Sequence, residues 1–342
     1  MIATCPIPLL AHGQIQLAHG GGGKMMRRLI SGVFGPLLGG QTDTDSAVVD
    51  VAGSRLALTT DSFVVNPLFF PGGNIGSLAV HGTVNDLAMS GARPLYLTCG
   101  YILEEGLDVD LLAEAVRSMR EAADSCGVRI VTGDTKVVDR GRGDGIYINT
   151  AGVGLIEHHA TLAPKAIRPG DAIILSGDIG RHGVAVMASR EGLQFETSVV
   201  SDSAPVHDSV LALLSENINV RCLRDLTRGG LASSLIEIIN SAGLGARVDE
   251  ACIPVTQGVR AACEILGLEP MYVANEGRFI AIVDPVDADR AIDIMRRHEV
   301  SAGAVQIGEI AGPELGRLAM KTVFGAWRAV DMLSGEQLPR IC

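Results

Sequence analysis

The chain ends on a cysteine, Cys342, reached through Leu338-Pro339-Arg340-Ile341. A thiolate is the strongest nucleophile a side chain offers near neutral pH, and a neighbouring arginine favours the ionised form. Extended at about 3.5 Å per residue, the stretch from Asp331 to Cys342 reaches on the order of 40 Å, so the sulfur can visit a distant site. A prenylation signal is excluded, because its cysteine stands fourth from the end.

A second set of residues suits a hard cation and a phosphate. Asp45, Asp61, Asp86, Asp134 and Asp225 sit beside small or turn-forming residues, in Thr44-Asp45-Ser46, Thr60-Asp61-Ser62, Asn85-Asp86-Leu87, Gly133-Asp134-Thr135-Lys136 and Asp225-Leu226-Thr227-Arg228-Gly229-Gly230. Singly, an aspartate in such a place most often only caps a turn. Several converging from different loops would hold Mg²⁺ and a nucleotide triphosphate without a Walker motif. The run His19-Gly20-Gly21-Gly22-Gly23-Lys24 precedes a helical pattern, so its backbone N–H groups can approach phosphate. It is not a Walker A loop, since Ala18 and Met25 stand where that pattern needs Gly and Ser or Thr. Lys136 and Glu276, in Ala274-Asn275-Glu276-Gly277-Arg278, each read singly as surface ion-pair residues.

The elements that must carry these residues alternate between strand and helix patterns. Strands are expected at 56–60, 95–102, 128–132, 146–156, 172–176, 278–284 and 305–310, and helices at 76–90, 110–126, 207–216, 230–242, 257–266 and 287–298. The clearest helix repeats Leu112, Ala115, Val116, Met119, Ala122, Ala123 and Cys126 on one face, between Asp108 or Asp110 and Gly127. A loop is expected at Gly133-Asp134-Thr135. A turn cluster at 164–171 marks a boundary, and periodicity is lost after Trp327. The expected division is a glycine-rich segment 1–41, a domain 42–160, a domain 161–330 and a tail 331–342. The fold class is α/β (α+β).

With 342 residues, two domains are expected. A net charge of -11 argues against a nucleic-acid surface. The seven cysteines form no C-x-x-C pair, which speaks against a zinc ribbon or a disulfide framework and for reduced thiols. No apolar run of membrane-spanning length occurs, and Met1–Leu10 lacks a basic region, so neither a membrane segment nor a secretory signal is expected. The expected location is cytoplasmic.

Taken in order, these motifs resemble the superfamily of aminoimidazole-ribonucleotide synthetase, selenophosphate synthetase and thiamine-phosphate kinase. More closely the chain is similar to the HypE family, the carbamoyl dehydratases of [NiFe]-hydrogenase maturation. The resemblance runs nearly end to end. It rests on Thr60-Asp61-Ser62-Phe63-Val64-Val65 with Asn66–Gly76, on Gly133–Val138, on Asp225–Gly230 and on the terminal Pro339-Arg340-Ile341-Cys342. One departure is Arg181 in Gly180-Arg181-His182-Gly183, where the family often has Asp.

The resemblance implies a homodimer whose N-terminal sheets pair into a shared barrel, a C-terminal α/β sandwich, and ATP near the domain junction. It implies a carbamoyl group arriving on Cys342 from HypF, ATP-dependent dehydration to a thiocyanate, and transfer of cyanide to the HypC–HypD pair. Cys342, Lys136 and Glu276 are then the chemical residues, with Glu276 favoured as base or relay and Lys136 as positioning cation, the reverse kept open. ATP falls to Gly21, Gly22, Lys24, Asp61, Asn85, Asp86, Asp134, Thr135, Thr227 and Arg228. Mg²⁺ falls to Asp45, Asp61, Asp86 and Asp225. Two alternatives stand beside this reading. One is a selenophosphate-synthetase-like enzyme acting on a free small molecule, although Cys5 lies too far from Lys24 to match its pattern. The other is a non-enzymatic assembly scaffold.

Overall fold

In the computed structural model, residues 14–39, 44–191 and 199–333 are described. The reactive-tail residue Cys342, together with Arg340 and Pro339, lies outside them.

An N-terminal arm comes first. A 3-10 turn at Leu17–Gly20 leads into α1 (Lys24–Leu29), which runs on through a π-helical turn (Ile30–Phe34) into α2 (Gly35–Leu38). The first domain follows with β1 (Ala47–Val51), β2 (Ser54–Phe63), the short β3 (Phe69–Phe70) and β4 (Gly73–Asn74), α3 (Ile75–Met89), β5 (Ala92–Glu104), α4 (Val109–Ser125), β6 (Arg129–Val138) and β7 (Ile146–Ile156). Its sheet has the order β1-β2-β7-β5-β6. Only β5 and β6 run parallel, joined across α4. α3 starts on a capping box: Asn74 accepts from the N–H groups of Gly76 and Ser77, and Ser77 returns a bond to Asn74. α3 and α4 cover one face of the sheet around Phe63, Ile75, Leu78, Leu97, Met119, Ile146 and Ile148. Val186 and Ala274 of the second domain join this core, so the two domains share packing at their seam.

The second domain comprises β8 (Ala172–Leu175), α5 (Arg181–Arg190), α6 (His207–Ser215), β9 (Val220–Asp225), α7 (Gly230–Ala242), β10 (Gly245–Asp249), α8 (Gln257–Leu266), β11 (Phe279–Val283), α9 (Ala288–Met295), β12 (Val305–Ala311), β13 (Leu318–Lys321) and β14 (Trp327–Val330). Its sheet has the order β14-β13-β10-β12-β8-β11-β9. Successive side chains of a strand point to opposite faces. Ile173, Leu175, Ile280 and Ile282 accordingly pack with Leu231, Leu235 and Ile239 of α7. Ala172, Ile174, Ala281 and Val283 pack on the other face with Val210, Leu213 and Ile294 of α6 and α9.

Two expectations are corrected, and several elements were not expected. Gly133-Asp134-Thr135 is not a loop but the middle of β6, because pairing with β5 continues through Lys136↔Ile102 to Val138↔Glu104. The stretch after Trp327 begins as a strand, β14, paired with β13. Helix α5 and strands β9, β10 and β13 had no counterpart among the expected elements. The N-terminal sheet is open, not closed on itself, within one chain.

Candidate functional site

Both domains bring carboxylates to the seam between them. Asp45 precedes β1, Asp61 lies on β2, Asp86 is on the inner face of α3, and Asp225 ends β9. One oxygen each from Asp45, Asp86 and Asp225 lies within 4.8 Å of the others. These three, with Thr60, Asp61, Thr227 and Arg228, line a cavity of about 350 Å³.

The surroundings fix each group. Thr59 donates to Asp86 at 2.7 Å. Arg224 holds one oxygen of Asp45 at 2.8 Å and Glu237 at 2.6 Å. The other oxygen of Asp45 is buried and finds no hydrogen-bond partner among the described residues. Asp61 faces Arg228 at 3.7 Å and accepts from the Ser62 N–H at 2.8 Å.

Burial disfavours charge, and crowding of like charges adds to it. Burial, opposed by Arg224 and aided by Glu237, pushes Asp45 up to about 6. Burial and then the charges of Asp225, Asp61 and Asp45 hold Asp86 well above the carboxylate range. Asp225 is raised in the same way, by burial first and Asp45 next. Crowding and burial favour the protonated forms of these carboxyls, and a cation among the oxygens would favour the ionised ones. A hard divalent cation fits: the donors are carboxylate oxygens, and the unpartnered oxygen of Asp45 supplies a vacant ligand.

The glycine run forms one wall. Gly22 has φ 74°, the left-handed region, and a Cβ there would sit 2.6 Å from the Arg228 carbonyl oxygen. Only glycine lets the run lie against the Arg228–Gly230 turn. Gly22, Gly23, Met26, Arg27, Ile30 and Ser31 line the cavity. A π-helical turn at Ile30–Phe34 carries two of them, a distortion that recurs at functional sites.

Lys24 lines a neighbouring groove of about 440 Å³ instead, together with Arg28 and Arg317. It is Arg27, one helical turn on, that presents a cation to the acidic cavity. Gly21 is exposed beside the wall and is not among the lining residues. The N–H of Lys24 donates to the carbonyl of Leu333 at 3.0 Å, so the chain leaves for its tail beside the glycine run.

Glu276 is buried at the same seam. Burial first, then the charges of Asp61, Asp225 and Asp202, raise it well above the carboxylate range, with Arg228 opposing. Asn85 does not open to the cavity. Its amide is consumed by the carbonyls of Ala204 and Glu276 and by the N–H of Val206. Asp134, Thr135 and Lys136 lie on β6, exposed, with Lys136 donating to Asp134 at 2.5 Å. Within one chain, no contact among the described residues joins Lys136 to Glu276, and the three β6 residues do not line the cavity. Arg181, the residue where the family often has Asp, pairs with Asp178 at 2.8 Å at the start of α5.

Arg27, Arg224, Thr59, Ser31 and Glu237 were not expected at the site. Arg27 had a signal, its place three residues after Lys24 on the helix that follows the glycines. The others had none: Thr59 sits inside an expected strand, Arg224 on a strand that was not expected, and Ser31 and Glu237 in helical turns where a polar residue reads as solvent-facing.

The arrangement can hold a cation and a polyphosphate between two domains, with a buried carboxyl of high proton affinity nearby. Residues 43–156 match the family described as AIR synthase related protein, N-terminal domain, and residues 168–321 its C-terminal domain. The carbamoyl dehydratase HypE of Azotobacter vinelandii is 49% identical over 97% of this chain and 98% of its own length. That of Escherichia coli K12 is 43% identical, over 96% and 99%. A crystal structure of HypE in complex with ATP superposes with a TM-score of 0.82 at 46% identity, covering 96% of this chain and all of that one. A HypE–HypF complex gives 0.85 at 44% identity, covering 89% and 99%. The chain belongs to the HypE carbamoyl dehydratases, within the AIR synthase related proteins.

Proposed function

We propose that this chain dehydrates a carbamoyl group carried on its own Cys342, at the expense of ATP. The cluster of Asp45, Asp86 and Asp225, with the vacant oxygen of Asp45 and the Gly22–Gly23 wall, is the observation that carries this reading. The relatives named carbamoyl dehydratase HypE and the relative solved with ATP support it.

The carboxamide oxygen is a poor leaving group. Its attack on the γ-phosphorus, with loss of one N–H proton, makes an O-phosphorylated isourea-like thioimidate and releases ADP. Loss of the second N–H proton then expels phosphate and leaves a thiocyanate on the sulfur. Phosphoryl transfer needs positioning and charge stabilisation above all. Thr227, Arg228 and Arg27 supply donors at the cavity wall. Asp45, Asp86 and Asp225, with Asp61 beside them, would hold Mg²⁺, which supplies charge neutralisation at the transferred phosphoryl. Glu276, in its ionised form, takes one N–H proton and the departing phosphate carries off the other; the burial and negative neighbours that raise Glu276 make its carboxylate a stronger base and a smaller share of it ionised.

Lys136 serves as positioning cation in an assembly larger than one chain. β6 lies at the sheet edge, and Leu58, Tyr96, Ile102 and Val131, all at least 40% exposed, leave the outer face of the sheet apolar and uncovered. A concavity of about 860 Å³ lies on that face. Such a face and edge fit pairing with a second copy. A HypF-type carbamoyltransferase loads the thiol, as the HypE–HypF complex of a relative suggests, and a HypC–HypD pair accepts the cyanide. The setting is the cytoplasm; no described helix is long and apolar enough to cross a membrane.

Intact-mass analysis of the C-terminal peptide tests this, after incubation with HypF, carbamoyl phosphate and ATP. The expected result is addition of a carbamoyl group and then ATP-dependent loss of one water. A carbamoylated peptide that never loses water with ATP present would overturn it.

A further inference from the structure

Glu276 sits on a short loop, Ala274–Arg278, that has no regular structure of its own to fix it. Two side chains from elsewhere grip that loop. Asp202, 4% exposed, lies on the strap 199–206 that runs ahead of α6. One of its oxygens accepts from the His182 N–H at 2.9 Å, in the first turn of α5. The other accepts from the N–H groups of Glu276 at 3.2 Å and Gly277 at 3.0 Å. The strap and loop touch backbone to backbone, since a Cβ on Gly277 would lie 1.9 Å from the Asp202 carbonyl oxygen.

The opposite side of the same residue is held by α3. The Asn85 amide donates to the Glu276 carbonyl at 3.1 Å and to the Ala204 carbonyl at 3.1 Å. Its oxygen accepts from the Val206 N–H at 2.9 Å. Asn85 is next in sequence to Asp86, so one turn of α3 carries both a member of the acidic cluster and a grip on Glu276.

We propose that Asp202 and Asn85 are positioning residues that clamp the Glu276 peptide by its N–H and its carbonyl, and so set its carboxyl against the substrate held at the acidic cluster. The proposal rests on the reading of Glu276 as the base. Glu276, Asn85 and Asp202 all lie behind the residues that line the cavity, and the two clamp residues bond the Glu276 peptide directly, so their effect passes through it. Displacement of a reacting group by about 1 Å costs about a hundredfold in rate. A clamp failure should therefore appear in kcat with ATP binding spared.

The test uses full-length protein loaded by HypF. Asp202→Asn keeps the shape but sets an NH₂ group against backbone donors. Asn85→Leu keeps the shape and leaves two carbonyls and the Val206 N–H without their bonds to this side chain. Each is expected to lower the single-turnover rate of dehydration at least tenfold, with KM for ATP within twofold of wild type and Cys342 loaded normally. Wild-type dehydration in either variant, alongside an inactive Glu276→Gln, overturns the clamp. Wild-type dehydration in Glu276→Gln overturns the base assignment instead. Where a variant is too unstable to assay, hydrogen exchange of wild-type protein decides. The amides of Glu276 and Gly277 should exchange as slowly as those of α3, and rapid exchange there overturns the clamp.

Discussion

The C-terminal sheet is covered on both faces and the N-terminal sheet on one. Every residue of β8 and of β11 is buried, whereas every residue of β6 from Arg129 to Val137 is exposed. The same residue type behaves differently in the two settings. Asp225, at the end of β9, is raised by burial and by Asp45. Asp134, in mid-strand on β6, is lowered, first by its hydrogen bond from Lys136. A carboxylate in the seam stores a demand for a cation or a proton; a carboxylate on the open strand is already satisfied by its neighbour and by water. The contrast supports the seam as the place proposed for the chemistry, and four experiments can break or sharpen it.

The largest effect is expected at Glu276. Glu276→Gln should slow dehydration by about 10²–10⁴-fold, the range a positioned general base contributes, while Cys342 still accepts its carbamoyl group. The mass spectrum should show the carbamoylated peptide persisting with ATP present. Dehydration at the wild-type rate would move the base elsewhere.

Next comes Asp86. Asp86→Asn removes one hard ligand from the three oxygens clustered within 4.8 Å. Calorimetry should show Mg-ATP bound at least about tenfold more weakly, in line with the loss of a group that supports a metal site. Asp134→Asn, the same change on β6, should weaken it far less. Equal losses would erase the distinction between the two regions.

The same asymmetry decided what was legible in the sequence. Helix α8 runs from Gln257 to Leu266, as its pattern predicts, because it buries one face, Val259, Ala262 and Cys263, and meets a glycine at its end; α7, from Gly230 to Ala242, is marked by its glycine end. Helix α5 was not legible. Its residues His182–Met187 are all buried, so no polar face marks the period. β9, Val-Arg-Cys-Leu-Arg-Asp, hides because its arginines are spent on internal ion pairs with Asp171, Asp284, Asp45 and Glu237. Of the five aspartates read as one set, Asp45, Asp86 and Asp225 come together and Asp61 lines the same cavity, while Asp134 lies apart on β6. Asp202, in a plain Ser-Asp-Ser run, carries its meaning only through the backbone groups that reach it. Asn85 was expected to bind nucleotide; within the chain its amide bonds Ala204, Glu276 and Val206, partners that its neighbours in sequence do not show.

A third, smaller effect concerns stability against pH. Asp45 is raised from 3.8 to about 6 in the folded chain, and Asp86 and Asp225 are raised as well. The folded state therefore binds more protons than the unfolded one between these values, and stability falls as pH rises through that window. For Asp45 alone the loss is on the order of 3 kcal/mol. With a chelator present, the melting temperature should fall as the pH is raised from about 4 to about 6 if this linkage outweighs other groups. Mg²⁺ at neutral pH should restore it, because the cation binds only the ionised carboxylates. A melting temperature indifferent to Mg²⁺ would remove the metal from the seam.

The smallest effect on stability is expected on the open strand. Lys136 and Asp134 are 68% and 72% exposed in their side chains, and their ion pair competes with water on every side. An ion pair between two solvent-exposed side chains contributes little to stability. Lys136→Ala should leave the melting temperature where it is in the wild-type protein. Its effect on dehydration should be large by comparison if Lys136 positions the thiocarboxamide, and that combination separates a functional residue from a structural one. A rate loss without a stability loss means that the uncovered sheet is functional surface, presented to a site that a second copy or the arriving tail completes. A marked drop in melting temperature means that β6 depends on this pair, and the two sheets then differ less than their burial suggests. Unchanged rate and unchanged stability together leave Lys136 as one more solvated cation and confine the chemistry to the seam around Glu276.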